Sequence, residues 1–308
     1  MSARVLAFLQ GTGRYLVLLA TRRPELVHLH TASYGSFFRK AVLLWIARVA
    51  GVKTVLHVHG AEFHLFHDRA PRLLRLVIRR TLEETAAVVA LGDRWAERLR
   101  RISPGARVVV IPNAVRPVED GDTREASERV QVVFLGEIGD RKGAFALLDA
   151  WAAATTGDSP ARLTLAGDGE VERARRRVTE LGLVDSVALR RWLTPRQVDE
   201  VLAGADLLVL PSRNEGQPMA VLEAMARGVC VVASDVGGLP DMIEDGVSGV
   251  LVRPDAPSEL AAVLGRLLDD ADERRRLGEG ARKRFLAEFD LSVVWPRIDR
   301  LYREVIAI

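Results

Sequence analysis

PSRNEGQPMAVLEAMARGVCVVASDVGGLP, residues Pro211 to Pro240, places two carboxylates, Glu215 and Glu223, where an apolar run gives way to a helix-forming segment. The run LLVLP (207–211) is short, continuous and preceded by Ala-Asp, the pattern of a strand buried on both faces in a parallel sheet. MAVLEAMAR (219–227) consists of strong helix formers, with Met219, Leu222, Met225 and Ala226 at helical spacing and Gly228 as a stop. Pro218 suits the first helical position, where a missing N–H costs nothing. The stretch therefore predicts a strand, a loop from Ser212 to Gln217 and a helix N-terminus.

Such a helix start offers orphan N–H groups and a positive dipole end, both of which favour a phosphate, and Gly216 lets the backbone approach closely. A diphosphate fits there. Glu215 lies in the loop beside that end, and Glu223 roughly 7 Å further along the helix axis. The two carboxylates could hold hydroxyls on either side of the diphosphate. The spacing is equally met if Glu215 caps the helix and Glu223 sits on a solvated face.

With 308 residues, the chain is longer than one hydrophobic core usually supports, so two domains are expected. Hydrophobic content of 48% and charged content of 28% are those of a globular chain, not a disordered one. The single cysteine, Cys230 in VCVVAS, excludes a disulfide framework, suits a reducing compartment such as the cytoplasm, and reads as a small buried hydrophobe. No run of 18 or more apolar residues is free of charge, and Arg14 interrupts the apolar opening segment, which reads as an amphipathic helix rather than a signal peptide.

The net charge of +3 conceals an asymmetry: residues 1–113 carry 18 Lys/Arg against 7 Asp/Glu, and the remainder 26 against 34. Arg69, Arg72, Arg75, Arg79 and Arg80 fall in one predicted helix, RAPRLLRLVIRR, with Leu73, Leu76 and Val77 at helical spacing. That helix could lie on an anionic membrane surface, or simply present a solvated basic face. Nothing in the chain calls for a nucleic-acid partner.

Apolar strand candidates alternate with helix-length segments in two series. The first comprises LVHLH (26–30), TVLHVH (54–59), AAVVAL (86–91) and RVVVIP (107–112). The second comprises VQVVFLG (130–136), ARLTLAG (161–167), SVALR (186–190), DLLVLP (206–211), CVVAS (230–234) and GVLV (249–252). Between them RPVEDGDTREASER (116–129) is highly charged and poor in apolar residues, as an interdomain linker would be. The expected fold class is α/β: two doubly wound domains, at 1–115 and 130–288, with ligands at the carboxyl ends of their strands in the cleft between them.

In FLGEIGDRKGAFALLDAW (134–151) the loop after a strand carries Arg141 and Lys142, and a lysine there can reach a phosphate as a point charge or simply be solvated. The phosphate-loop pattern G-x-x-x-x-G-K-[ST] is missing, and neither Gly11-Thr-Gly13 nor Gly167-Asp-Gly169 completes a dinucleotide fingerprint. All six histidines lie between His28 and His67. His28/His30 and His57/His59 have strand spacing, so each pair could turn to a metal. The alternative for His59 is a loop, His59-Gly60-Ala61-Glu62, lining the cleft near substrate.

Taken in order, FLGEIGDRKG, LTLAGDGE, LVLPSRNEGQPMAVLEAMARG and VVASDVGGLPDMIEDGVSGVLV resemble family 4 of the retaining glycosyltransferases, the glycosyl transferases group 1, which have the two-domain GT-B fold. VHLH, HVHGAEF and VVVIPNAV resemble the latter part of the family's first domain, and LSVVWPRIDRLYREVI, within 289–308, its C-terminal helix that crosses back onto that domain.

The resemblance implies transfer of a hexose-type sugar from a nucleoside diphosphate sugar to a hydroxyl of a saccharide or lipid-linked acceptor. The setting implied is cell-surface polysaccharide or glycolipid assembly, cytoplasmic or peripheral on the inner membrane face, with no metal or cofactor required. Glu215 matches the glutamate contacting the donor sugar, Glu223 the one holding the ribose hydroxyls, and Lys142, aided by Arg141, the lysine that neutralises the diphosphate. Backbone N–H groups across Gly216, Gln217, Met219 and Ala220 complete the donor cradle, and His59 matches the first-domain histidine beside the donor sugar.

Two departures shape the expectation. Glu137 stands where the family has an arginine, with Arg141 available to offset it. A single candidate helix precedes LVHLH where the family has further βα units, so the first domain is expected to be incomplete at its N-terminus. A truncated, non-catalytic donor-binding protein and a sugar-nucleotide epimerase are the alternative functions.

Overall fold

The computed structural model describes residues 3–118, 129–155 and 161–307. The chain forms two compact units, residues 1–112 with 295–308, and residues 113–294. Most of the expected linker, 119–128, lies outside the described residues.

The first unit runs α1 (Ala3–Arg22), β1 (Leu26–Thr31), α2 (Gly35–Val49), β2 (Lys53–Val58), α3 (Phe63–Asp68), α4 (Arg72–Glu83), β3 (Ala87–Ala90), α5 (Asp93–Ile102) and β4 (Val108–Val110). Its four strands form a parallel sheet in the order β1-β2-β3-β4, so the sheet grows by one βα unit at a time. Period-two alternation sends Leu29, Leu56, Val58, Val88 and Ala90 into one core with Phe37, Phe63, Phe66, Ile78, Leu82 and Trp95. The histidines of β1 and β2 alternate with these leucines and valines and so occupy the other face.

The second unit contains β5 (Val130–Leu135), α6 (Ala144–Ala154), β6 (Ala161–Ala166), α7 (Val171–Glu180), β7 (Val187–Arg190), α8 (Pro195–Ala203) and β8 (Leu207–Leu210). It continues with α9 (Met219–Ala226), β9 (Cys230–Ser234), α10 (Leu239–Met242), β10 (Val250–Val252), α11 (Pro257–Asp269) and α12 (Ala271–Glu288), and α13 (Leu291–Ala307) begins within it. Its strands are all parallel, in the order β10-β9-β8-β5-β6-β7. The order reverses between β5 and β8. In an open parallel sheet that switch point is where two loops diverge to opposite faces and leave a crevice at the strands' carboxyl ends.

All ten expected strands are present, within one or two residues of their apolar runs. Two local expectations are corrected. Pro218 has φ −69° and ψ 127°, an extended residue capping α9 and not its first helical one. The basic helix begins at Arg72 after Pro71, whose lack of an N–H breaks it from α3, so Arg69 lies outside it. Leu73, Leu76 and Val77 are 74%, 52% and 42% exposed, and α4 buries Ile78, Thr81 and Leu82. Among the described residues no helix is long and apolar enough to cross a membrane. Cys230 is buried, as expected.

Candidate functional site

The two loops that leave the switch point carry the charged residues singled out above. After β5 the chain makes a 3-10 turn, Asp140–Lys142, that Gly143 (φ 75°) links to α6; after β8 it passes through Pro211–Gln217 to α9. The loops are stitched together where Arg213 N–H donates to the Arg141 carbonyl at 2.9 Å.

Lys142 Nζ donates to Glu215 Oε1 at 2.5 Å, and the Ser212 hydroxyl donates to the same oxygen at 2.7 Å. The Glu215 side chain is 6% exposed and that of Lys142 17%, so this is a nearly enclosed ion pair. α9 has no side-chain cap, which removes the capping role open to Glu215 on spacing alone. Val221 N–H already turns back to the Pro218 carbonyl at 3.2 Å, which leaves the Met219 and Ala220 N–H groups as those that face outward at the positive end of the helix dipole. Gly216 and Ala220 border this end of the helix.

Gln217 is turned to structure: buried, its Oε1 accepts from Asn113 N–H and its backbone carbonyl accepts from Asn113 Nδ2 at 3.1 Å. Arg141 donates to Glu137 at 2.7 Å, so the carboxylate that replaces the family's arginine is neutralised by the neighbour expected to offset it.

Glu223 lines a cleft of about 330 Å³ with Gly136 and Gly167 at the ends of β5 and β6, Trp192, Leu193, Pro195 and Val198 around the start of α8, and Met219 and Ala220 on α9. Its walls are mainly apolar, and Glu223 and Asp199 supply acidic groups at one side. Glu223 is half-buried, contrary to the solvated-face alternative, and burial pushes its carboxyl above the usual range; Arg227 opposes this and Asp199 adds to it. Arg227 is fixed by donating to Asp199 and to the Glu223 carbonyl.

The sign of that shift yields a prediction. A carboxyl whose folded pKa is raised favours the folded state below the ordinary glutamate range of about 4.3 and loses that contribution as pH rises through its folded value. Glu223→Gln should therefore be at least as heat-stable as wild type at pH 8, with the difference closing on acidification. A variant less stable than wild type at pH 8 would contradict the assignment.

In the first unit His59 follows β2, its N–H donating to the Thr31 carbonyl at 2.8 Å and its Nε2 lying 2.7 Å from His30 Nδ1. Burial, with His30 nearby, lowers its pKa to about 4, so it is a neutral imidazole at pH 7. His28, His30 and His57 converge, with one ring nitrogen from each within 4.8 Å of the others. Strand spacing paired His28 with His30 and His57 with His59; the parallel register, which sets His30 opposite His57, merges the pairs into one cluster.

Sequence reasoning missed four participants. Ser212 lies three residues before Glu215, a spacing that could have flagged its hydroxyl. Asn113, Asp199 and Tyr302, the last 2.6 Å from His28, are brought in by tertiary structure over sequence separations that carry no local signal.

Two parallel α/β sheets, one with the 3-2-1-4-5-6 type of strand order, define the GT-B class, and the comparisons agree. The structure superposes on sucrose-phosphate synthase of Thermosynechococcus elongatus with a TM-score of 0.81 at 23% identity, over 95% of this chain and 76% of that one. It also superposes on Anabaena HepE, solved with UDP and glucose, with a TM-score of 0.78 at 19% identity, over 94% and 80%.

Residues 115–284 match the family model described as glycosyl transferases group 1, and residues 2–114 that of a glycosyl transferase 4-like domain. The chain belongs to the glycosyl transferases group 1. It is 31% identical over 341 aligned positions to D-inositol 3-phosphate glycosyltransferase of Thermobispora bispora, covering 99% of this chain and 76% of the relative. It is 29% identical over 299 positions to alpha-D-kanosaminyltransferase of Streptomyces kanamyceticus, covering 91% and 77%.

Proposed function

We propose that the protein is a retaining glycosyltransferase that moves a hexose-type sugar from a nucleoside diphosphate sugar to an acceptor hydroxyl. The observation that carries the reading is the Lys142–Glu215 pair at the sheet's switch point, beside the uncapped N-terminus of α9 and the cleft that holds Glu223. The cleft's apolar walls suit a flat base, and Glu223 is placed to accept from ribose hydroxyls. The diphosphate lies between, against Lys142 and the N–H groups running from Gly216 to Ala220, with Arg141 at the margin. Relatives solved with UDP and UDP-glucose lend support to such a donor.

In this scheme the acceptor oxygen bonds to the anomeric carbon on the face the diphosphate leaves, and the sugar–phosphate C–O bond breaks. A departing phosphate oxygen takes the acceptor proton. Negative charge grows on the diphosphate as that bond breaks, so Lys142 and the helix N–H groups stabilise the transition state more than the bound donor. Glu215 holds the sugar hydroxyls, and the family likeness gives His59 a role toward the donor sugar. The scheme asks for no metal or cofactor.

Purified protein incubated with a panel of nucleotide sugars tests this directly. Release of nucleoside diphosphate with an anomerically retained product is expected. Binding without turnover would favour a non-catalytic donor-binding protein, and an isomerised nucleotide sugar an epimerase.

For the acceptor we favour a saccharide or lipid-linked hydroxyl in cell-surface polysaccharide or glycolipid assembly, reached at the cytoplasmic membrane face. The exposed Leu73, Leu76 and Val77 on α4, flanked by Arg72, Arg79 and Arg80, support that placement. Leu73→Glu/Leu76→Glu is expected to lower co-sedimentation with anionic vesicles several-fold; equal sedimentation of the variant and the parent would remove the membrane from the reading.

A further inference from the structure

The proposed donor site uses none of His28, His30 and His57, and His30 touches His59. Three features separate this histidine cluster from ordinary core packing. His57 is 4% exposed, and both of its ring nitrogens are buried without a hydrogen-bond partner. A buried polar atom left unpaired costs about 1–3 kcal/mol, so a core histidine normally has at least one partner. His28 Nε2 is likewise buried and unpartnered. The rings of His28, His30 and His57 also pile within 4.6–5.4 Å of one another, centroid to centroid.

We propose that His28, His30 and His57 form a three-imidazole site for a divalent transition-metal ion of the zinc class, separate from the transfer step. Neutral imidazole is the ligand form, and burial holds these rings neutral at pH 7. The outer nitrogens are already engaged as a metal-binding histidine requires: His28 Nδ1 with the Tyr302 hydroxyl at 2.6 Å, and His30 Nδ1 with His59 Nε2 at 2.7 Å. This leaves Nε2 of each, with either nitrogen of His57, for the ion.

One ring nitrogen from each lies within 4.8 Å of the others, and zinc–nitrogen bonds of about 2.0–2.1 Å require the rings to turn closer together when the ion binds. His30 is exposed, which opens the fourth position to water. Three histidines plus water is an established zinc arrangement. The ion would join edge strand β1 to β2 and, through Tyr302, to α13.

The test uses the full chain without a polyhistidine tag, stripped with a chelator and titrated with Zn²⁺ against a chromophoric competitor, and with Co²⁺ followed by visible absorption. One equivalent per chain is expected, with the visible bands of low-coordinate Co²⁺. His57→Gln should lower affinity by about tenfold or more and weaken those bands. His28→Gln should do the same and serves if the first variant misfolds. Tyr302→Phe should weaken binding less, and His64→Gln should leave it unchanged. Sub-stoichiometric binding by the parent, or equal binding by folded His57→Gln and His28→Gln, would overturn the site.

Discussion

Lys142→Ala is expected to lower transferase turnover by about 10²-fold or more, the usual effect of deleting one preorganised charge donor at a developing anion. The structure adds a second consequence. Lys142 is the ion-pair partner of Glu215, whose side chain is 6% exposed, so the substitution leaves a buried carboxylate without its cation and with the neutral Ser212 hydroxyl as its donor. Breaking such a pair from one side costs about 3–5 kcal/mol. Lys142→Ala should therefore melt earlier, and adding Glu215→Gln should restore much of the melting temperature without restoring turnover. Glu215→Gln alone is the reference for the double variant, because Glu215 itself meets the donor sugar: a catalytic Lys142 makes the double variant slower than Glu215→Gln by a further large factor. Turnover in the double variant equal to that of Glu215→Gln would assign Lys142 a structural role only.

Gly237→Ala is expected to be nearly as damaging, though no side-chain function is lost. Gly237 has φ 57°, a conformation that costs a residue bearing a Cβ about 1–2 kcal/mol. A Cβ there would lie 1.8 Å from the Glu215 carbonyl oxygen, which also accepts from Gly238 N–H at 3.3 Å. The backbone must move, and Glu215 moves with it. We expect a melting temperature lower by roughly 5 °C or more, with most transferase activity lost even at temperatures where the variant is folded. An active, equally stable Gly237→Ala protein would mean that the Glu215 loop tolerates displacement and that its geometry does not govern the reaction.

The second unit was the more legible part of the chain. Its strands are short apolar runs between turn residues, and parallel strands buried on both faces write themselves as such runs. The paired glutamates, Lys142 and Pro218 fall at strand-to-helix junctions, and backbone geometry alone makes those junctions candidate ligand sites. What sequence could not supply was which partner each charge meets. Lys142 and Glu215 are separated by 73 positions and become neighbours only because β5 and β8 pair across the switch point. The same limit applies to α4, where spacing put Leu73, Leu76 and Val77 together but did not say that Ile78, Thr81 and Leu82 are the residues it buries. Periodicity identifies which residues share a face; the neighbouring elements decide whether that face is covered.

The alternation of histidine with leucine and valine in β1 and β2 also bears on how the sheet is specified. A parallel pair at the edge of a sheet could slide by one residue and retain most of its hydrogen bonds. Here such a slip of β1 would exchange Leu29 for His28 and His30 on the face packed against Phe37 and Phe63, and would carry the leucine to the imidazole side. The histidines thus act as a key to registration: they make the correct alignment of the outermost strand identifiable before any ligand is considered.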